Sequence, residues 1–248
     1  MSADLEPLAS VDELGRRLRG LGWVTDLFVG GSLATGDYVP GVSDLDLVAL
    51  VDGPVIDERR RLLAALHTEL DAGPARGRDL GCVYVDDAAL GELSVEHPTW
   101  THGAMVDRRM SGIVRAELVR YGYAVHGRAP LEVLAPMSDD DMRAAGRAEV
   151  CGYWAWASRR PQMWLHPVIA DLGLTSMARG RHVIATGQLM TKSEAIERVH
   201  APAWLVDQLR ARRRGEAVAS PRVRTGWIAW RDARRTVAWA RRGHPEAS

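Results

Sequence analysis

Two short segments near the start of the chain carry residues whose types and spacing fit phosphate and metal chemistry. The first is a Gly-Gly-Ser turn at 30–32, which directly follows apolar residues, and the second is Asp-Leu-Asp at 44–46, which opens an apolar run. Because side chains alternate along a strand, Asp44 and Asp46 project to the same face. Neighbouring carboxylates repel each other, and Mg²⁺ relieves that repulsion while also binding substrate phosphates.

The glycine turn supplies the second half of such a site. Glycines let the backbone approach a phosphate closely, and Ser32 with the amides after it opens a predicted helix whose N-terminus favours anions. Asp-x-Asp alone also occurs by chance, as two solvated carboxylates at a strand end. The combination of a strand, a turn at Gly31 and Ser32, and Asp-x-Asp in a second strand favours a metal and triphosphate site.

This pattern resembles that of the nucleotidyltransferase superfamily, which shares its catalytic fold with DNA polymerase β. That superfamily has a hydrophobic-Gly-Gly/Ser turn, then Asp-x-Asp, then a third acidic residue on a later strand. The resemblance implies that Asp44 and Asp46 hold two Mg²⁺ ions, about 3.5–4 Å apart, which assist an in-line displacement. It also implies that Gly31 and Ser32 bind the phosphates of ATP, the expected co-substrate.

A third acidic group must come from a strand beside the Asp-x-Asp strand. Asp79 is the candidate, because it begins the apolar run 80–85. Its carboxylate would join a metal ion or accept the proton of the attacking hydroxyl. The other interpretation is an ordinary polar residue at a strand start, paired with Arg76 or Arg78. Two glutamates are reserve candidates for the same role: Glu92 and Glu96.

Within the superfamily, the chain is most similar to the aminoglycoside adenylyltransferases that modify streptomycin and spectinomycin. Eight residues before an aspartate that corresponds to Asp87, that family has a catalytic glutamate, and here the position holds the shorter Asp79. In the second half, the family's helical arginine, its Thr-Gly and its lysine five residues later match Arg179, Gly187 and Lys192. The resemblance implies that Arg179 and Lys192 contact the nucleotide phosphates.

Composition adds an argument for Lys192, and the acceptor region departs from the family. Lys192 is the only lysine beside 31 arginines, which fits a compact charge near a triphosphate. Where the family holds its cationic antibiotic with a tryptophan and several acidic residues, this chain has Trp164 and only Asp171. Seven of the nine tryptophans lie in the second half, and most are expected in the core, although Trp154 or Trp164 could line a ligand cleft.

Length, charge and composition are those of a globular enzyme. The chain has 248 residues and a net charge of zero, so no global field draws it to nucleic acid or to a membrane, and the arginine pairs are expected on solvated faces. It has no apolar run of membrane-spanning length and no signal-peptide pattern, which predicts a cytoplasmic protein. Two isolated cysteines suggest neither a disulfide framework nor a zinc site.

The periodicity predicts an α/β nucleotidyltransferase domain, with a mixed sheet and helices, over 1–135, and an all-α helical bundle over 136–248 that completes the nucleotide and acceptor site. In the first domain, helices are predicted over 11–21, 56–72 and 107–121, and strands over 27–29, 45–51, 80–85, 92–96 and 123–127. Ser138 is expected to cap a helix. Further helices are predicted near 139–158, 167–186, 191–200, 202–214 and 222–242.

These observations predict a Mg²⁺-dependent enzyme that transfers AMP from ATP to a hydroxyl of a small-molecule acceptor and releases pyrophosphate. An aminoglycoside is one such acceptor, which would make the protein an antibiotic-resistance enzyme. Two alternatives remain: a nucleotidyltransferase acting on a protein or RNA, and a non-catalytic, antitoxin-like nucleotide-binding module. A nucleic-acid partner is not expected, because RNA requires a basic groove and the net charge is neutral. The expected assembly is a monomer or weak dimer.

Overall fold

The computed structural model describes residues 5–242, with side chains from residue 8 onward. The chain divides into two compact units, Met1–Pro136 and Met137–Ser248. Among the described residues, no helix combines the length and the apolar character that crossing a bilayer requires. Both cysteines, Cys82 and Cys151, are free thiols.

The first unit is built on a six-stranded mixed sheet. Its strands are β1 (Val24–Val29), β2 (Leu45–Val51), β3 (Leu80–Asp86), β4 (Glu96–Thr101), β5 (Ala104–Arg109) and β6 (Tyr123–His126). Their order across the sheet is β5-β4-β3-β2-β1-β6. Only β2 and β3 run parallel, and every other neighbouring pair is antiparallel. A parallel pair needs a crossover, which the helix between β2 and β3 provides.

Apolar residues cover both faces of this sheet, which explains why the run after Asp46 is almost continuously hydrophobic. Leu47 and Ala49 of β2 pack in one core cluster, and Val48 and Leu50 pack in the other. A strand buried on both sides loses the polar alternation of a half-exposed strand. The helices of this unit are α1 (Leu5–Gly20), α2 (Gly31–Ala34), α3 (Asp57–Ala72), α4 (Gly112–Tyr121) and α5 (Pro130–Val133).

Two predicted elements in this unit are wrong. The strand predicted over 92–96 is a turn region, and β4 begins only at Glu96. The first residues of the helix predicted over 107–121 belong to β5, which pairs with β4 through a tight hairpin. The two loop residues, His102 and Gly103, both have positive φ, the geometry of a type I′ turn. Helix α4 starts later, where the Ser111 hydroxyl accepts a hydrogen bond from the Val114 amide at 3.2 Å.

The second unit is helical throughout, as predicted. Its α-helices are α6 (Asp139–Glu149), α7 (Ala155–Ala157), α8 (Pro167–Thr186), α9 (Lys192–Ile196), α10 (Ala203–Arg213) and α11 (Arg222–Arg241). Ser138 caps α6, and its hydroxyl accepts from the Asp141 amide at 3.2 Å. A π-helical segment, Val150–Trp154, joins α6 to α7.

Trp154 and Trp164 lie in the core of this unit and are 3% and 1% exposed, so neither lines an open ligand cleft. The Trp164 indole donates to the Ala157 carbonyl at 3.1 Å. A Cβ at Gly173 would overlap the Trp164 ring, and one at Gly226 would overlap the Trp164 carbonyl. The two glycines therefore make room for a structural tryptophan between α8 and α11.

Candidate active site

The Gly-Gly-Ser turn joins β1 to α2 and is packed directly against Asp46. The Gly30 amide donates to the Asp46 carbonyl at 2.8 Å. Gly31 has a φ of +55°, and a Cβ on it would lie 2.8 Å from the Cβ of Asp46 and would overlap its carboxylate. Only glycine accepts both that conformation and that approach. The turn and the Asp-x-Asp strand therefore form one local structure.

Ser32 presents the one unusual polar group of the turn. Its hydroxyl oxygen is buried and has no hydrogen-bond partner among the described residues. A buried polar group left unpaired costs about 1–3 kcal/mol, which a phosphate oxygen placed there would offset. The Ser32 carbonyl is engaged, since it accepts from the Asp37 amide at 2.9 Å. Helix α2 has only four residues, so its dipole is weaker than the sequence interpretation assumed, and the Ser32 hydroxyl is the stronger feature.

Asp44 and Asp46 share one face of β2 and its lead-in, as predicted. Both are exposed, whereas Ser43, Leu45 and Leu47 between and beside them are buried. The Ser43 hydroxyl accepts from the Val39 amide at 3.0 Å and so fixes the loop before the strand.

Tyr38, in the loop before β2, lies within electrostatic range of Asp44. Burial raises the pKa of Tyr38, and the negative charge of Asp44 adds to that rise. The sequence interpretation did not identify Tyr38, because no motif marks it.

Asp79 comes beside Asp44 through the parallel pairing of β2 and β3. Leu45 pairs with Leu80, and the Leu45 amide donates to the Asp79 carbonyl at 2.8 Å. The Asp79 side chain is exposed and forms no ion pair among the described residues. Arg78, considered as its partner, instead donates to the Pro74 carbonyl at 3.0 Å and the Ser10 hydroxyl at 3.2 Å.

The reserve candidates do not reach this edge of the sheet. Strand β4 runs antiparallel to β3, with Val83 opposite Thr99, so the register places Glu96 toward the far end of β3. Glu96 also lies 3.7 Å from Arg109 in an exposed ion pair. Glu92 lies in the turn region that follows β3. Both reserve candidates are therefore separated from Asp79 by the length of a strand.

One further carboxylate, that of Asp71 at the end of α3, lies close to Asp79. The sequence interpretation did not identify it. Its Oδ2 accepts from the Trp100 indole at 3.1 Å, and its Oδ1 is buried without a partner among the described residues. Burial raises the pKa of Asp71, and the charge of Asp79 raises it further. Only the pairing of β3 with β4 brings Trp100 to Asp71, so local sequence carries no signal for this contact.

The chemistry of these donors fits a magnesium–nucleotide complex, although the described residues contain no ready cluster of three metal-ligating side chains. Asp44, Asp46 and Asp79 share one edge of the sheet and offer the hard oxygen ligands that Mg²⁺ prefers. The unpaired Ser32 hydroxyl beside Asp46 offers a donor to a phosphate oxygen.

The second unit holds Arg179 and Lys192 close together. The Arg179 guanidinium of α8 donates to the Met190 carbonyl at 2.8 Å, two residues before Lys192. Lys192 begins α9, whose N-terminus is capped by Thr191 and Glu194. The ammonium of Lys192 has no ion-pair partner within residues 8–242. The start of α9 therefore brings together two basic residues that are thirteen positions apart in the sequence.

Asp171 is not free to hold a cationic acceptor. Arg212 binds its carboxylate with two hydrogen bonds of 2.6 and 2.9 Å. Burial raises the pKa of Asp171, and the Arg212 charge opposes that rise. Asp171 is the one acidic residue that the sequence analysis considered for binding a cationic antibiotic, and its carboxylate is instead paired with Arg212 within the helical unit.

Comparison with known proteins finds one family match, which lies within the first unit. Residues 11–81 match the family model of the nucleotidyltransferase domain, and this stretch contains Gly31, Ser32, Asp44, Asp46 and Asp79. No curated protein sequence matches the chain. The predicted resemblance to the nucleotidyltransferase superfamily is confirmed.

Among solved structures, the chain is similar to the spectinomycin adenyltransferase AAD(9) from Enterococcus faecialis, which was determined with ATP and spectinomycin. The TM-score is 0.68 at 14% sequence identity, and the match covers 94% of this chain and 98% of that one. The predicted fold class, an α/β nucleotidyltransferase unit followed by helices, is therefore confirmed.

Proposed function

We propose that the protein transfers AMP from ATP to a hydroxyl of a small-molecule acceptor, with Mg²⁺ as cofactor and pyrophosphate as the second product. The observation that carries this proposal is the parallel pairing of β3 with β2, at the end of the sheet where both strands begin. It brings Asp79 beside the Asp-x-Asp pair, while Gly31 packs on Asp46. Three carboxylates beside an anion-accepting turn suit phosphoryl chemistry rather than hydrolysis of an apolar substrate.

In the proposed reaction the acceptor oxygen attacks the α-phosphorus of ATP. The bond from that phosphorus to the bridging oxygen breaks, pyrophosphate leaves with the electron pair, and the hydroxyl proton passes to Asp79. Asp44 and Asp46 would hold the magnesium ions. When bound, Mg²⁺ supplies positive charge that stabilises the attacking and leaving oxygens.

The remaining site residues act on the phosphates. Ser32 donates its otherwise unpaired hydroxyl to the β- or γ-phosphate. Arg179 and Lys192 are proposed to offset the charge that builds on departing pyrophosphate. The Arg179 guanidinium is held by its hydrogen bond to the Met190 carbonyl, which fixes the position from which its positive charge would act on the nucleotide.

The acceptor is proposed to carry few positive charges. Aminoglycosides are the first class to test, because the structural neighbour was determined with spectinomycin. A polycation needs several carboxylates once it is buried. Here Asp171 is neutralised by Arg212, so we expect a weakly charged hydroxyl acceptor to be preferred over a highly charged aminoglycoside.

The test is pyrophosphate release by the purified full chain, with each nucleotide and a panel of hydroxyl acceptors, in the presence of Mg²⁺ or of a chelator. Mass spectrometry should show one AMP added to the acceptor. Labelled AMP found on protein or RNA instead would support the other transferase function. Tight ATP binding without turnover on any acceptor class would support a non-catalytic module and overturn the proposal.

Gly31→Ala tests the contact between the turn and Asp46. The new methyl group would overlap the Asp46 carboxylate and displace it, so we expect activity to fall by about 10²-fold or more. Gly36→Ala is the matched control, because Gly36 also has a positive φ, +73°, but no atom within 4 Å of an added Cβ. In thermal melts both variants should lose about 1–2 kcal/mol from the positive φ, and Gly31→Ala should lose more because its methyl group also overlaps Asp46. Equal activity in the two variants would contradict the assignment of the turn.

Lys192→Ala tests whether the helical unit acts on the nucleotide. Removal of one compact charge beside a phosphate is expected to raise the Kd for Mg-ATP or lower kcat by about tenfold. Lys192→Arg should restore activity only in part, because a planar fork does not replace an ammonium group. Unchanged kinetics of Lys192→Ala would leave the helical unit as a scaffold or acceptor-binding element.

A further inference from the structure

We propose that one face of α11, with the segment after α7, binds single-stranded nucleic acid. This surface, the Trp/Arg groove, consists of two adjoining cavities of the helical unit that share Pro161 and Trp230. Its basic part also contains Arg159, Arg234 and Arg241. The proposal is independent of the transfer reaction, and its test is a binding measurement.

The two cavities differ in chemistry. The basic cavity has a volume of about 520 Å³, and its walls contain three arginines and no acidic side chain. The smaller cavity, about 210 Å³, is lined by apolar and aromatic groups that include Trp227, Leu165 and Val223. Because the cavities meet at Trp230, a single ligand can place a flat apolar group in one and its negative charges in the other.

The positive charge of the basic cavity is not neutralised within the described part of the chain. Arg159, Arg234 and Arg241 are exposed, and none forms an ion pair with a described carboxylate. The only acidic residue of α11, Asp232, is buried and bound by Arg181 at 2.8 Å. The net charge of the whole chain is zero, yet this surface is locally basic. The arginine pairs near residues 159 and 234 therefore do more than face solvent.

One exposed and one half-buried aromatic ring lie on the same helix face. Trp227 is 54% exposed, and its ring centroid lies 5.0 Å from that of Trp230. Arg231 and Arg234 lie over these two rings, at 5.8 and 5.0 Å from the ring centroids. The Trp230 indole donates to the Ser158 carbonyl at 2.8 Å, which fixes its ring. Aromatic rings and guanidinium planes are the surfaces on which unpaired bases stack.

The spacing suits a strand rather than a single small anion. Residues 227, 230, 234, 238 and 241 recur every three or four positions, and residue 231 follows 227 by four, so all six lie on one side of α11. At 1.5 Å per residue they extend over about 21 Å, which exceeds the reach of one nucleotide. A double helix buries its bases, whereas a single strand offers both the bases and the phosphates that this surface can bind.

Fluorescence anisotropy of the full chain with a labelled single-stranded RNA of about 20 nucleotides tests the proposal. The triple variant Arg159→Ala/Arg234→Ala/Arg241→Ala should bind about 10²-fold more weakly at low salt. Its slope of log affinity against log salt should also fall by about 2, because each phosphate contact on a single strand contributes about 0.7. The matched control replaces three exposed arginines of the first unit with alanine: Arg19, Arg61 and Arg108. It removes the same charge and should bind like the unaltered protein.

Stacking is tested separately with Trp227→Ala, which should weaken binding by about tenfold, and with Trp227→Phe, which should retain most of the affinity. Thermal melts check that these variants fold. Equal losses in the two arginine triple variants, or no RNA binding at low salt, would overturn the proposal. If inorganic polyphosphate bound as tightly as RNA and Trp227→Ala had no effect, the groove would be a general anion site and the proposal would be refuted. Preference for duplex over single-stranded RNA would contradict it as well.

Discussion

Asp44→Asn and Asp46→Asn are each expected to abolish nucleotidyl transfer, so that kcat falls by about 10³-fold or more. Each change removes one negative charge from the proposed magnesium ligands with almost no change in volume. Both side chains are exposed, so the core of β2 is untouched. Initial rates of pyrophosphate release, measured over a range of Mg²⁺ concentrations, give the effect.

Asp52→Asn is the matched control for these variants, because Asp52 follows the opposite end of β2 and is also exposed. Its activity should equal that of the unaltered protein. Without metal, the melting temperatures of Asp44→Asn and Asp46→Asn should be unchanged or higher, since one of two neighbouring negative charges is gone. Normal turnover in either variant would refute the assignment of the Asp-x-Asp pair.

Much of the first unit could be predicted because its signals are local. Strand β2 was predicted over its full length, 45–51, since an uninterrupted apolar run of seven residues fits a strand buried on both faces. The β4–β5 hairpin was missed because its residues are mostly polar or half-exposed and its turn is His102-Gly103, which lacks the usual Asn-Gly or Asp-Gly signal.

The candidate site shows the same division between local and distant information. Gly31 and Asp46 could be predicted as one site, because the turn and the following strand are close in sequence. Asp71 could not, because its partner Trp100 is 29 residues away and is brought to it only by strand pairing. The engagement of Asp171 by Arg212 was likewise hidden, since the two residues are separated by 41 positions. Sequence patterns identify local groups, but they do not show which charges the fold pairs.

Asp79→Asn is expected to lower kcat by about 10²-fold or more while the Kd for Mg-ATP changes little, if the carboxylate accepts the proton of the attacking hydroxyl. Asparagine keeps the size of the side chain but cannot take up a proton at neutral pH. Single-turnover rates, together with ATP binding measured by calorimetry, separate the two quantities. A loss confined to metal or ATP binding would make Asp79 a ligand rather than the base.

Asp79→Glu completes this test, because the resembling family has glutamate at the corresponding position. One added methylene lengthens the reach of the carboxylate, and the exposed site at the start of β3 has room for it. We expect Asp79→Glu to retain at least the activity of the unaltered protein. Asp71→Asn is the comparison variant, because Asp71 lies close to Asp79. It removes a nearby charge but keeps an oxygen that can accept from the Trp100 indole. Its effect on kcat should therefore be much smaller than that of Asp79→Asn. If Asp71→Asn abolishes kcat and Asp79→Asn does not, then the roles of the two carboxylates are exchanged.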